Sequence, residues 1–208
     1  MALMKHKTTD LLKAIWTKWE GSREEKMGLV HGLTMYVADL ATLRPGEELN
    51  DQIINAYIGM LKKKTDQVNQ TMLCVSSPII TSIMLGKGHM GWSKKQDIRD
   101  YDTVIGCINE KSCHWVAVVL DVQHKRCYVM DPLHKTKSLR LYSKHLNSFS
   151  KTMGFGEWQL SCPSEVPMQQ DSTSCGIFCL KADDLINARW KQSSRSFVIG
   201  TLVKSYLI

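Results

Sequence analysis

From Cys175 onward the apolar positions fall at 175, 178, 179, 182, 185 and 186. That is the spacing of a helix with one buried face, and it predicts a helix from Cys175 to about Trp190. The run just before it, Gln169 to Ser174, is wholly polar and predicts a turn that ends at the helix start. The same period predicts a helix over 8–20, capped by Thr8 or Thr9 and striped by Leu11, Leu12, Ile15, Trp16 and Trp19. A third helix follows Asn50 or Asp51, with Ile53, Ile54, Tyr57, Ile58 and Leu61 on one face. Residues 141–149 read as helical, and Ser193 or Ser194 caps a last helix. Between these the period shifts towards strands. Residues 103–108 and 126–130 read as strands, and 114–122 is so continuously apolar that burial on both faces is expected. Gln123-His124-Lys125 makes the last two a hairpin. Shorter strands are expected within 28–43, 74–79 and 157–160, a short helix or turn at 78–84, and a glycine loop at 86–92. The order predicts one α+β domain, a short central sheet flanked by helices.

Composition narrows the class without naming a chemistry. The 208 residues are 43% hydrophobic and 23% charged, enough to bury a core. The net charge of +7 suggests acidic partners, but it is scattered. Its densest cluster, Lys62-Lys63-Lys64, reads as a solvated helix end, so nucleic-acid binding is not expected. Seven cysteines, an odd number mostly in apolar company, argue for reduced thiols rather than a disulfide framework. The opening Met-Ala-Leu-Met-Lys-His-Lys lacks the apolar stretch of a signal peptide, and Trp115 to Leu120 is too short to span a membrane. An intracellular protein, in the nucleus or cytoplasm, is expected.

A cysteine in the first turn of a helix sits where free backbone N–H groups and the helix dipole favour an anion, and the thiolate is the reactive form. Such a nucleophile needs a base and a group to orient that base. In the hairpin, the start of one strand (His114) and the end of the next (Asp131) lie side by side at one rim, the arrangement of an imidazole held by a carboxylate. Gln169 can aim an amide at an oxyanion beside the backbone N–H of Cys175. Each residue also has an ordinary structural reading: a core cysteine, a strand-start histidine, an Asp-Pro turn. The residues alone leave both open. Cys107, Cys113, His114, His124, Cys127 and His134 crowd one segment, but without C-x-x-C spacing no zinc site is expected.

His114-Trp115, Asp131-Pro132, and Gln169 followed by Cys175-Gly176 resemble the Ulp1/sentrin-specific protease family of cysteine peptidases (clan CE, C48-like), as does Leu49-Asn50-Asp51 with Ile54-Asn55 at a helix start. The resemblance covers about 38–208 and leaves 1–37 as an N-terminal helical extension. It implies a papain-like fold, no cofactor, and a monomer that hydrolyses the bond after the C-terminal Gly-Gly of a ubiquitin-like modifier (SUMO, ubiquitin or NEDD8-like) or its conjugates. By that resemblance Cys175 is the nucleophile, His114 the base and then acid, Asp131 its orienter, and Gln169 the oxyanion donor. Trp115 walls a channel that only glycines fit, with Asn50, Asp51 and Gly176 on the substrate-binding side. Two positions depart from the family's pattern: Glu48 stands where a tryptophan is common, and Ser174 where an aspartate is. The first opens three alternatives: a different modifier, a viral- or transposon-type protease, or a roof made by another tryptophan such as Trp92. A thiol acyltransferase and a non-catalytic modifier-binding module are the further alternatives.

Overall fold

Strand β5 (His114–Asp121) is buried along nearly its whole length because both of its faces are covered. Trp115, Ala117 and Val119 point into one hydrophobic core; Val116, Val118 and Leu120 point into a second. The computed structural model describes residues 13–14, 16–17, 23–66, 71–89, 91–93, 95–134, 137–164, 166 and 168–180. In chain order β1 (Lys26–Val30) and β2 (Leu33–Tyr36) form an antiparallel ribbon. They are followed by α1 (Val37–Ala41), α2 (Asp51–Asp66), β3 (Met72–Cys74) and α3 (Ser77–Met84). After a 3-10 turn at Ile98–Asp100 come β4 (Thr103–Glu110), β5, β6 (Arg126–Met130), α4 (Lys137–Met153), β7 (Gln159–Ser161) and α5 (Cys175–Cys179).

The central sheet has the order β3-β4-β5-β6-β7 and is mixed. Its three middle strands run antiparallel, while β3 and β7 lie parallel to their neighbours at the two edges. On one face α2 brings Ile53, Ile54, Tyr57 and Leu61 against the sheet, and α5 adds Cys175, Ile177 and Cys179. On the other face α3 brings Ile80 and Met84, and α4 brings Tyr142 and Leu146. Each large aliphatic side chain so buried is worth about 1.5–3 kcal/mol relative to exposure. The α+β class and the short flanked sheet are those the sequence predicts.

Local departures have local causes. Residues 74–79 do not form one strand: β3 stops at Cys74 and Ser77 opens a helix. A side chain distant in sequence decides this, since Asn55 Oδ1 accepts from both the Ser77 N–H (2.9 Å) and the Ser77 hydroxyl (3.0 Å). Pro78 in that first turn loses nothing, because an N–H there has no helical partner. Of the helix expected over 8–20, residues 13–14 and 16–17 are helical, and Trp16 Nε1 donates to the Leu40 carbonyl at 3.3 Å. The rest of that helix, the continuation of α5 towards Trp190, and the helix capped at Ser193 or Ser194 lie outside the described residues. Among the described residues no helix is long and apolar enough to cross a membrane.

Candidate active site

His114 begins β5 because the chain turns sharply at Lys111 and Ser112, both at positive φ (53° and 59°), so that Glu110 ends opposite His114. Asp131 follows the last residue of β6, and Pro132, having no N–H, cannot extend the ladder. The β5–β6 register then leaves both side chains at one rim of the sheet. His114 Nε2 lies 2.7 Å from Asp131 Oδ1, with the two residues only 4% and 6% exposed. A carboxylate only accepts, so the Nε2–H donates. The same Oδ1 accepts from the Leu133 N–H at 2.8 Å, which fixes the carboxylate in turn.

Cys175 is the first residue of α5 and is buried. It reaches the imidazole from the opposite face of the sheet to the one lined by Tyr142. Burial alone would lower the His114 pKa. Hydrogen bonds to Asp131 and Cys175, and the negative charge on both, outweigh it and raise the imidazole from 6.5 to about 9. With Nε2 committed to Asp131, the bond to Cys175 falls to Nδ1. The arrangement therefore favours a protonated imidazole beside the Cys175 sulfur, a nucleophile with its proton donor adjacent. Other thiols have no such company. Burial pushes Cys127 up, and it pushes Cys179 up with help from a hydrogen bond to Cys107. Among the described residues no three His, Cys, Asp or Glu side chains are grouped to hold a metal ion.

Trp115 and Leu49 share the first core with Cys175, and Gly176 follows it in α5. Trp115 is 3% exposed, and its Nε1 donates to the Leu49 carbonyl at 2.7 Å. A Cβ on Gly176 would stand 3.0 Å from the Leu49 Cβ and 3.2 Å from its Cγ and Cδ1, so only a glycine fits there without displacing Leu49. Leu49 thus joins the tryptophan to the cysteine helix, a role its sequence position does not advertise. Glu48 next to it is exposed. Trp92 is not available as a roof. It packs in the other core, edge-on to Phe149 at 5.3 Å and against Phe155.

Asn50 and Asp51 lie where α2 begins. Asn50 Oδ1 accepts from the Ile53 N–H at 3.1 Å, capping the helix, and its Nδ2 donates to Asp39 Oδ1 at 2.7 Å. The side chain is thereby committed to holding Leu49 and the start of α2, while Asp51 is exposed on the first turn. The other Asp39 oxygen accepts from the Tyr36 N–H at 2.8 Å, so this buried carboxylate ties the ribbon, α1 and α2 together.

Gln169 is 6% exposed; its N–H donates to the Pro132 carbonyl at 3.0 Å and its Nε2 to the Asp171 carbonyl at 2.7 Å. The amide has a second Nε2 proton to give. Its Oε1 is buried without a partner among the described residues, an unmet acceptor of the kind that costs about 1–3 kcal/mol. Asp171 orders the approach to α5: Oδ1 accepts from the N–H groups of Thr173 (2.8 Å) and Ser174 (2.7 Å), and Oδ2 from the Ser174 hydroxyl (2.6 Å). Sequence reasoning passed over Asp171, although Asp-Ser-Thr-Ser is the pattern of an Asx turn. It passed over Glu110 and Tyr142 as well. The Tyr142 hydroxyl donates to Glu110 Oε1 inside the second core, directly behind the rim that carries His114.

Comparison with known proteins gives these residues a lineage. The chain is 25% identical over 179 residues to a sentrin-specific protease of Caenorhabditis elegans, covering 81% of this chain and 25% of that protein. It is equally similar to human sentrin-specific protease 2, over 80% of this chain and 30% of that one. The chain thus spans about a quarter to a third of the length of these relatives. Its fold matches the C-terminal Ulp1 protease domain solved with Smt3, the yeast ortholog of SUMO. The TM-score is 0.72 and the identity 21%, with 95% of this chain and 94% of that one covered. A Ulp1-like SUMO protease catalytic domain from Chaetomium thermophilum matches with a TM-score of 0.66 at 19% identity, over 95% of this chain and 88% of that one. The model of the Ulp1 protease family, C-terminal catalytic domain, matches residues 47–199, a span that includes His114, Asp131, Gln169 and Cys175. The chain belongs to the Ulp1 protease family.

Proposed function

We propose that this chain is a cysteine peptidase that hydrolyses the peptide or isopeptide bond after the C-terminal Gly-Gly of a ubiquitin-like modifier, most readily a SUMO-like one. Residues 38–208 form the peptidase domain, with 1–37 ahead of it. The observation that carries the reading is the buried His114–Asp131 pair, 2.7 Å apart, with Cys175 hydrogen-bonded to the same imidazole. The relatives' names point to the same substrate class, since they are sentrin-specific proteases and one related structure holds Smt3.

The Cys175 sulfur attacks the carbonyl carbon of the terminal glycine. Negative charge gathers on the carbonyl oxygen, where the Cys175 N–H and the free Nε2 proton of Gln169 are the donors. The carbon–nitrogen bond then breaks, and the leaving nitrogen takes its proton from His114 Nδ1. A thioester remains on Cys175. The neutral imidazole next removes a proton from water, and the hydroxide releases the modifier as a carboxylate and restores the pair. Asp131 stays ionised throughout and keeps Nδ1 turned to the sulfur. A tail of two glycines can lie close against Trp115 because neither carries a Cβ.

All seven cysteines are free thiols, which suits a monomer at work in the reducing nucleus or cytoplasm. The test is a panel of SUMO, ubiquitin and NEDD8 carrying an electrophile after Gly-Gly. The expected result is a covalent adduct on Cys175 with at least one of them, absent in Cys175→Ala, which still binds that modifier. Turnover by Cys175→Ala at the parent rate would sink the assignment.

A further inference from the structure

Glu110 and Tyr142 are joined by a hydrogen bond that the chemistry above does not use. Along β5 the side chains of Val116, Val118 and Leu120 enter the second core, so strand alternation puts His114 on that face. In β4 Val104 and Ile108 enter the same core, which puts Glu110 there, and the register sets Glu110 directly across from His114. In β6 Cys127 and Val129 do so, and Asp131 continues their alternation. Three adjacent strands thus bring Glu110, His114 and Asp131 to one rim and one face. Tyr142, 1% exposed, comes from α4 onto that face, and its hydroxyl donates to Glu110 Oε1. Burial and the bond to Glu110 push the tyrosine pKa far up, and the Asp131 charge adds to this, so the proton stays on the hydroxyl between the two carboxylates.

The turn that delivers His114 needs an outside hold. Lys111 and Ser112 both lie at left-handed φ (53° and 59°), and the Cys113 N–H closes the turn on the Glu110 carbonyl at 3.1 Å. Tight hairpin turns with two left-handed residues are ordinarily filled by Asn and Gly. Lysine and serine give this one no such preference. Glu110, on whose carbonyl the turn closes, is instead anchored to α4 through its side chain. An apolar pair at 110 and 142 would fill the same space without the cost of removing a carboxylate from water. What the hydrogen bond adds is a fixed direction. We propose that Glu110 and Tyr142 are positioning residues for the proton transfers of His114. Their bond pins the turn to α4 and backs the imidazole, so that the ring keeps Nε2 on Asp131 and Nδ1 on the Cys175 sulfur. The inference rests on the peptidase reading.

The test follows kcat, KM and the alkaline limb of kcat/KM on a SUMO substrate. Tyr142→Phe deletes one oxygen and keeps the ring. It is expected to lower kcat about tenfold with KM within about twofold, and to move the alkaline limb down by at least about half a unit, as the loosened imidazole loses part of its hold on Asp131. Glu110→Leu should do the same. The two together should cost no more than either alone, because one bond is broken in all three. Glu110→Gln, which still offers the hydroxyl an oxygen, recovers most of the rate lost in Glu110→Leu. SUMO binding, measured with each change on a Cys175→Ala background, stays at the parent level. A Tyr142→Phe chain with the parent kcat, or with its limb unmoved, overturns the proposal. So do losses that simply add in the double variant, and so does lost SUMO binding, which would make the bond structural only. Each of these leaves the peptidase reading standing. Failure of the parent to cleave or label any of the panel of modifiers overturns both.

Discussion

Replacing Asp131 with Asn removes one negative charge while keeping an oxygen where the Nε2–H of His114 and the N–H of Leu133 find their acceptor. In the intact chain the imidazole is raised from 6.5 to about 9, against the opposing effect of burial, by its hydrogen bonds to Asp131 and Cys175 and by their charges. Asn cannot supply the charge, so the pKa must fall back towards 6.5. The consequence is large in the range where assays are run. At about pH 8 an imidazole with a pKa near 9 is about nine-tenths protonated, and one near 6.5 only about one-thirtieth, a loss of about 30-fold in the form that can protonate the leaving nitrogen. The assay is kcat/KM for a SUMO substrate followed between about pH 6 and 10, whose alkaline limb reports the free enzyme's acid. In the parent that limb lies near 9, and in Asp131→Asn it moves down by as much as about 2.5 units while the near-ultraviolet circular dichroism is unchanged. An alkaline limb that stays near 9 in the variant would refute the claim that Asp131 holds the proton on His114.

The other predictions concern what surrounds the reacting groups. Gly176→Ala sets a Cβ 3.0 Å from Leu49; overpacking of about 1–3 kcal/mol, offset in part by the roughly 0.5–1 kcal/mol that Ala gains over Gly in a helix, should lower the melting temperature by no more than about 10 °C. Turnover should fall at least about tenfold, because Leu49 carries the carbonyl that holds Trp115. Trp115→Phe loses that 2.7 Å bond and should raise KM for the modifier more than it lowers kcat, measured by initial rates. Asn50→Ala uncaps α2 and strips a hydrogen bond from buried Asp39, which together should cost about 2–4 kcal/mol in denaturant unfolding. Since His114 titrates near 9 when folded and at 6.5 when unfolded, its contribution to stability is complete below 6.5 and is lost as pH rises through 9. Thermal melts should show that loss in the parent and less of it in His114→Gln.

What could be read from the chain, and what could not, divides along physical lines. Periodicity belongs to the chain itself, so α2, the β5–β6 hairpin and the start of α5 were all legible, and with them the meeting of His114 and Asp131 at one rim. The pairing of Ala117 with Met130 brings Asp131 diagonally within reach of His114 at that rim. Features set by a partner distant in sequence were not legible. Ser77 begins a helix because Asn55 accepts its N–H, and the β1–β2 ribbon is anchored through Asp39 by Asn50. Trp92 is a case of the same kind: by sequence alone it suits a roof or a core equally well, until Phe149 and Phe155 are placed beside it.

The position most changed by the structure is Leu49. Its carbonyl takes the Trp115 Nε1–H, its side chain closes on Gly176, and the adjoining Asn50 fixes it to Asp39. Trp115, Gly176 and Asp39, far apart in sequence, thus converge on Leu49 and its neighbour Asn50. Glu48 is exposed and takes no part in this packing, whereas Leu49 is buried within it. Substituting Glu48 should therefore leave the demand for glycine untouched, whereas Gly176→Ala, which moves Leu49, should relax or destroy it.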